Sequence, residues 1–242
     1  DSSVFTTNTT IAADNLTYEG YDVTVQGCTV TIDGAHAFNS LTIERNPSNQ
    51  PGVLTHSPAF MDGNLSGSWL TIAGDMHVQG AERSLVGSRI DLSGRGQPSA
   101  TGPGAGFSAS VGSGAGHGGA GGAAGSALGG VTYGSFTQPT ELGSGGGADI
   151  VGTPVADGPG GGVIRLSVAG SVTVDGTIVV DGGSAAASTG GGGAGGSIWI
   201  ECGSLLGTGT ISSNGGAGIG NGGGGAGGRV AIAASTVAMP LG

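Results

Sequence analysis

The chain of 242 residues contains 58 Gly and 9 Pro, so more than a quarter of its positions favour turns and extended backbone. A charged fraction of 9% beside an apolar fraction of 36% excludes simple disorder, which needs low hydrophobicity and high charge. Frequent glycine, at about 1 kcal/mol each relative to Ala in a helix interior, excludes helix bundles and βαβ folds. All six basic residues are Arg, against sixteen Asp plus Glu, for a net charge of -10. That balance opposes nucleic-acid binding and leaves no Lys for a P-loop or a Schiff base.

No apolar run reaches the roughly eighteen residues of a membrane-spanning helix. A chain opening at Asp1, with neither Met nor an apolar leader, reads as a processed product and points to an extracellular or cell-surface location. Three Asn-x-Ser/Thr triplets, beginning at Asn8, Asn15 and Asn64, agree with secretion, although Ser and Thr are common enough here for chance triplets. Cys28 and Cys202 make neither a zinc site nor a disulfide scaffold.

From the N-terminus, Leu16-Thr17-Tyr18 and Leu41-Thr42-Ile43 open two short copies of one unit, and Cys28-Thr29-Val30-Thr31-Ile32-Asp33 alternates apolar with polar residues. Such alternation marks a half-buried strand. The stretch from Leu70 to Val78 recurs from Leu166 to Val174 at a constant shift of 96, keeping Leu, Ala, Gly and the final Val. Thr177 to Gly183 recurs as Thr210 to Gly216, a shift of 33. A companion strand appears at Val163, Ser197 and Arg229, spaced by 34 and 32. Strands repeated in this way cannot each bury their own apolar face, whereas stacked copies can.

The expected fold is therefore all-β, a parallel β-solenoid of about six coils starting at Leu16, Leu41, Leu70, Leu166, Ile200 and Ile232. It forms a single domain over 1–242, with N-terminal coils in 1–93, a glycine-rich insertion in 94–162 and C-terminal coils in 163–242. The glycine-rich excursions are either loops projecting into water or extended polyproline-II-like (polyglycine-II-like) strands packed side by side, which glycine permits at close approach. Uncharged runs such as Gly191-Gly192-Gly193-Ala194-Gly195-Gly196 favour packing.

The segments GGGGAGGSIWIECGSLLGTGTISSNGGAG, GSGAGHGGAGG and VTIDGAHAFNSLTIERNPSNQPGVLTHS resemble the glycine-rich β-solenoid regions of large secreted bacterial surface, adhesin-like proteins. The resemblance spans essentially the whole chain in style and brings no catalytic signature. It implies an adhesive or structural role, beside carbohydrate-active or lectin-like domains.

Few motifs of the chain carry chemistry. Asp33, Asp175, Asp181 and Asn214 each precede Gly, as turn residues do, and no close carboxylate pair suits glycoside hydrolysis. Gly114-x-Gly116-x-x-Gly119 meets the dinucleotide pattern by chance, without its strand and helix. His36, His56, His77 and His117 are scattered and read as surface imidazoles. No catalytic residue, metal ligand or cofactor is expected.

One constellation stands out. Aligning Leu70, Leu166, Ile200 and Ile232 as inward positions places Trp69, Arg165 and Trp199 in one outward column. A guanidinium between two indoles suits cation–π stacking, worth roughly 0.5–2 kcal/mol per pair. The column is either a platform for a sugar ring or another chain, or it packs beneath the glycine-rich excursions, the plainer reading. By the same alignment Cys202 and Cys28 point inward as free thiols.

Neither end carries an amphipathic cap, so the strand edges suit pairing with copies of the chain or with neighbouring surface domains. The expected function is a non-enzymatic structural or adhesive module that associates end to end. The alternative is a polysaccharide-binding module using Trp69, Arg165 and Trp199, and a polysaccharide lyase or hydrolase ranks third. Nucleic acid and membrane insertion are not expected.

Overall fold

The structure is a computed structural model that describes every residue except 59–66, 82–85, 151–156, 187–188 and 240–242. Among the described residues the secondary structure is fifteen strands and one 3₁₀ turn, Leu16–Tyr18, with no α-helix. The chain is all-β, and every pairing between these strands is parallel.

The strands fall into two sheets. The main path of the larger sheet runs β1 (Ser2–Phe5), β3 (Asp22–Gln26), β6 (Ser40–Glu44), β9 (Met76–Val78), β11 (Val163–Val174), β13 (Ser197–Leu206) and β15 (Arg229–Ala238). A side path, β5 (Gly34–Phe38) and β8 (Ser68–Ile72), joins the first half of β11. The smaller sheet runs β2 (Thr9–Ile11), β4 (Thr29–Ile32), β7 (Val53–Thr55), β10 (Arg89–Asp91), β12 (Thr177–Val179) and β14 (Thr210–Ser212).

Strand alternation sends every second side chain inward, and the parallel register turns those residues into continuous columns. In the smaller sheet Val30, Leu54, Ile90, Ile178 and Ile211 stand one above another. In the larger sheet the corresponding columns are Val23–Leu41–Met76–Val172–Leu205 and Leu70–Leu166–Ile200–Ile232. Most of these side chains are fully buried and belong to one core that extends from Phe5 to Met239. At ~1.5–3 kcal/mol per buried aliphatic side chain, this core is the principal apolar contribution to stability.

The shift of 96 pairs Leu70 with Leu166 and Met76 with Val172, and the shift of 33 pairs Ile178 with Ile211. Two expected coil starts are displaced. Leu41 aligns with Met76 rather than with Leu70, whose partner in the preceding turn is His36. Leu16 lies in the 3₁₀ turn and is exposed, so Val23 takes the equivalent of Leu41. Gly34-Ala35-His36-Ala37-Phe38 forms a strand of its own, with an imidazole where the other copies carry an aliphatic residue.

Each long turn in the C-terminal part leaves the smaller sheet, runs through glycine and re-enters the larger sheet. The run 191–196 shows how this wall is held. Its amides donate in order to Gly147, Gly223, Gly183, Ser144, Ala226 and Val180. The first and fourth reach one neighbouring segment, the second and fifth another, the third and sixth a third. The amides thus return to the same neighbouring segment every three residues.

The carbonyls of the same run face elsewhere. Gly191 and Ala194 accept from Gly158 and Gly161, Gly192 from Ala115, and Gly193 from Gly216. The run is buried, yet all of its amides are paired, as buried backbone requires.

Glycine is needed here for proximity. A Cβ on Gly193 would lie 2.0 Å from the carbonyl oxygen of Pro159 and 2.4 Å from its carbon, whereas one on Gly224 would meet nothing nearer than 3.8 Å. Gly193→Ala is therefore expected to cost about 1–3 kcal/mol or more by overpacking, read as a marked fall in Tm. Gly224→Ala leaves Tm essentially unchanged. Equal Tm values for the two variants would show that the wall is not packed in this way.

Candidate functional site

The outer face of the larger sheet carries the most varied chemistry. Parallel register sets Ala35, Trp69, Arg165, Trp199 and Ala231 side by side on β5, β8, β11, β13 and β15. The three residues singled out in the sequence thus occupy adjacent positions. The next outward lane runs Ala37, Thr71, Ser167, Glu201 and Ala233.

The Arg165 Cζ stands 4.1 Å from the centroid of the Trp199 ring, and Nη2 donates to Glu201 Oε2 at 2.9 Å. This holds the guanidinium over one indole and ties it to a carboxylate. The second indole behaves differently. Trp69 packs against Leu142 and Val163, and its ring lies where a Cβ on Gly67 would fall, 2.2 Å from Cη2 and Cζ3.

The two Trp side chains also differ in exposure. Trp199 is 8% exposed and shares a hollow of about 260 Å³ with Phe136, Thr137 and Ala231. Trp69 is only half-buried. The segment carrying Phe136 belongs to the glycine-rich insertion and is anchored nearby. Arg229 donates from Nε and Nη2 to the Tyr133 carbonyl at 2.9 and 2.7 Å, and the Tyr133 ring stacks on His117 at 4.5 Å. The Tyr133 hydroxyl donates to the Leu142 carbonyl and accepts from Ser144, and burial pushes its pKa up to about 12.

Beside Trp69 the face falls away. Rung β5 carries only the methyl groups of Ala35 and Ala37, and a hollow of about 400 Å³ opens between Glu19 and Trp69, reaching Thr71, Arg165 and Ser167. Glu19 follows the 3₁₀ turn, and both its carboxylate oxygens are engaged. His36 Nδ1 lies 2.8 Å from Oε1, and the Ala37 amide donates to Oε2 at 2.5 Å. Sequence reading missed Glu19 because nothing in its neighbourhood repeats. His36 was legible once Gly34–Phe38 is recognised as a strand in phase with β8.

Three of the four histidines are buried rather than on the surface. His56 Nε2 accepts the Val163 amide at 3.1 Å, which leaves the proton on Nδ1 to be donated to the Ser57 carbonyl at 2.6 Å. Desolvation pushes its pKa down and keeps it neutral. His117 donates from Nδ1 to Gly195 and is likewise pushed down by burial. These imidazoles satisfy backbone groups at the seam between sheet and glycine wall.

The turn carboxylates link successive turns. Asp33 accepts the amide and hydroxyl of Ser57, Asp75 those of Ser171, and Asp175 those of Thr208. Asp181 accepts from Asn214 and Ser212, and Asp22 from Ser40 and Asn39. Hydrogen bonds from Ser171 hold the Asp75 carboxyl below its ordinary range, as those from Ser40 and Asn39 do for Asp22.

Among the described residues no group of three or more His, Cys, Asp or Glu side chains is placed to hold a metal ion. Gly114 of the formal dinucleotide pattern sits in the glycine wall, where a Cβ would lie 1.9 Å from the Gly224 carbonyl oxygen. Both thiols are free. Cys28 donates to the Phe5 carbonyl, and Cys202 shares an inward column with Ile72 and Val168. Asn8 and Asn15 use their side chains to accept the Thr29 and Thr17 amides, while Asn64 lies outside the described residues. No known protein family, curated protein or solved structure matches the chain.

Two outcomes check this geometry. With Trp199 replaced by Phe, the remaining Trp69 fluorescence is expected to be quenched by acrylamide more strongly than Trp199 fluorescence is in Trp69→Phe; equal quenching would contradict the difference in exposure. A carboxylate whose folded pKa is depressed contributes stability above its unfolded pKa, and that contribution is lost as pH falls through the folded value. The Tm gap between wild type and Asp75→Ala should therefore be full near neutrality and close below about pH 4. A gap independent of pH would mean that the charge on Asp75 does not matter.

Proposed function

We propose that the chain is a non-enzymatic structural or adhesive module of an extracellular surface. In this reading it is a β-solenoid of about six coils whose third wall is a polyglycine-II-like bundle, and it associates end to end. The observation that carries the proposal is the arrangement of edges. Strands β1 and β2 close one end of the two sheets, β15 and β14 the other, and all pair in parallel.

A parallel stack does not close on itself, so each end offers unpaired amides and carbonyls to a further turn. Strand β15 has ten residues, of which Arg229 alone is charged, with neither Pro nor Lys to discourage pairing. Val230 and Val237 on it remain 43% and 45% exposed. A head-to-tail contact between unlike ends produces an open filament unless the rotation closes.

The non-enzymatic clause is supported by the use of the carboxylates. Asp22, Asp33, Asp75, Asp175 and Asp181 are each engaged by the following turn rather than gathered opposite one another. The resemblance to glycine-rich regions of secreted surface proteins points the same way.

Sedimentation velocity and negative-stain microscopy over a wide concentration range test the association. Elongated particles are expected to lengthen as concentration rises, and Ala231→Lys combined with Ala233→Lys, outward positions on β15, to shift them towards single chains. A strictly monomeric species at every concentration would overturn the end-to-end clause.

A further inference from the structure

We propose that the hollow between Glu19 and Trp69 binds a sugar ring of a neutral polysaccharide, with Trp69 as the apolar platform and Glu19 and Arg165 as its hydrogen-bonding groups. This deepens the adhesive half of the proposed function by naming a ligand. It does not depend on end-to-end association, because the hollow lies on a sheet face and stacking uses the sheet edges.

The shape of the site follows from three successive rungs. Ala35 and Ala37 form a low floor, while Trp69 on the next rung and Arg165 beyond it rise above that level. The resulting space of about 400 Å³ falls in the range of small-ligand sites. Its lining combines an indole, two hydroxyls from Thr71 and Ser167, a carboxylate and a guanidinium. A sugar ring offers the matching pattern, an apolar face of C–H groups bordered by hydroxyls that both donate and accept. A peptide adding as a strand needs an open edge, whereas β8 lies between β5 and β11 and the outer edge of β5 is engaged at Ala37 by the Gly20 amide and the Glu19 carboxylate.

The polar groups are held in place before any ligand arrives. Glu19 is fixed by the His36 ring and the Ala37 amide, yet its side chain remains 29% exposed and each oxygen has further acceptor capacity. Arg165 is held by the Trp199 face and by Glu201, with only Nη2 engaged among its nitrogens, and its side chain is 38% exposed. Preorganised groups lose little freedom on binding.

Charge selects the class of glycan. The Arg165 charge is already matched by Glu201, and the Glu19 carboxylate faces His36 Nδ1 at 2.8 Å, so the hollow offers no unmatched cation on a chain of net charge -10. Uronate or sulfate groups would find no free positive charge at this site, so a neutral chain is the occupant. Trp199, buried beside Phe136, contributes by holding Arg165 rather than by touching the sugar.

Affinity gel electrophoresis of the full chain against neutral glycans (β-glucan, xyloglucan, mannan, dextran) and acidic ones (alginate, polygalacturonate) tests the proposal. Retardation by at least one neutral glycan and by neither acidic one is expected. Trp69→Ala and Glu19→Gln should each weaken binding about tenfold or more, near 1.4 kcal/mol. Because Trp69 also packs against Leu142 and Val163, Ala37→Trp supplies an independent check: it fills the hollow without removing that packing and should abolish retardation. Phe107→Ser, an exposed aromatic elsewhere, should leave binding unchanged. Absence of binding to every neutral glycan, preference for the acidic ones, or retention of binding in both Trp69→Ala and Ala37→Trp would overturn the proposal, whatever the state of assembly.

Discussion

The structure depends on hydrogen bonds that run from each turn of chain to the next. In the sheets they join parallel strands in register, and in the glycine-rich wall they join segments whose amides rotate through three neighbours. The wall is entropically expensive, since glycine loses more backbone freedom on folding than any other residue. It holds because close approach lets the buried backbone find partners, and leaving those groups unpaired would cost far more than pairing them contributes. Ala194, fully buried in the midst of the run 191–196, shows how narrow the tolerance is: one methyl group is accommodated where its neighbours admit none.

This arrangement divides the molecule by chemistry. The inner columns hold aliphatic side chains, the turns hold Asp, Ser, Thr and Asn that connect adjacent levels, and the wall holds almost no side chains. Exposed side chains are thereby left to the outward faces of the two sheets and to the tips of the glycine-rich segments, where Phe107, Leu128 and Phe136 are exposed. Buried histidines mark the seams. His56 and His117 each serve a backbone group where a glycine segment meets a strand, a position that needs both a flat ring and a polar atom.

Much of the sheet architecture was legible because parallel pairing converts a sequence shift into spatial adjacency. The shift of 96 between Leu70 and Leu166 and that of 33 between Ile178 and Ile211 appear as residue pairs in register, so the Trp69, Arg165 and Trp199 lane followed from alignment alone. Legibility ends where the repeat is degenerate. Leu16 and Leu41 imitate a coil start by composition, but phase is set by the neighbouring strand, and His36 hides the true equivalent of Leu70 behind a polar letter. Side-chain direction was equally out of reach. Equivalent backbone positions carry Trp69 and Trp199, yet one ring leans over Gly67 and the other supports Arg165. Glu19 reaches the outer face from a non-repeating turn, and no periodicity announces it.

The glycine wall also shapes how the fold responds to temperature. Unfolding the aliphatic core exposes hydrocarbon and raises the heat capacity, whereas unfolding the wall exposes mainly peptide groups, whose hydration lowers it. The two contributions oppose one another within a single chain. A fold that draws so much of its cohesion from amides has a flatter stability curve than its length would suggest, and it weakens less on cooling than one held by an oily interior alone.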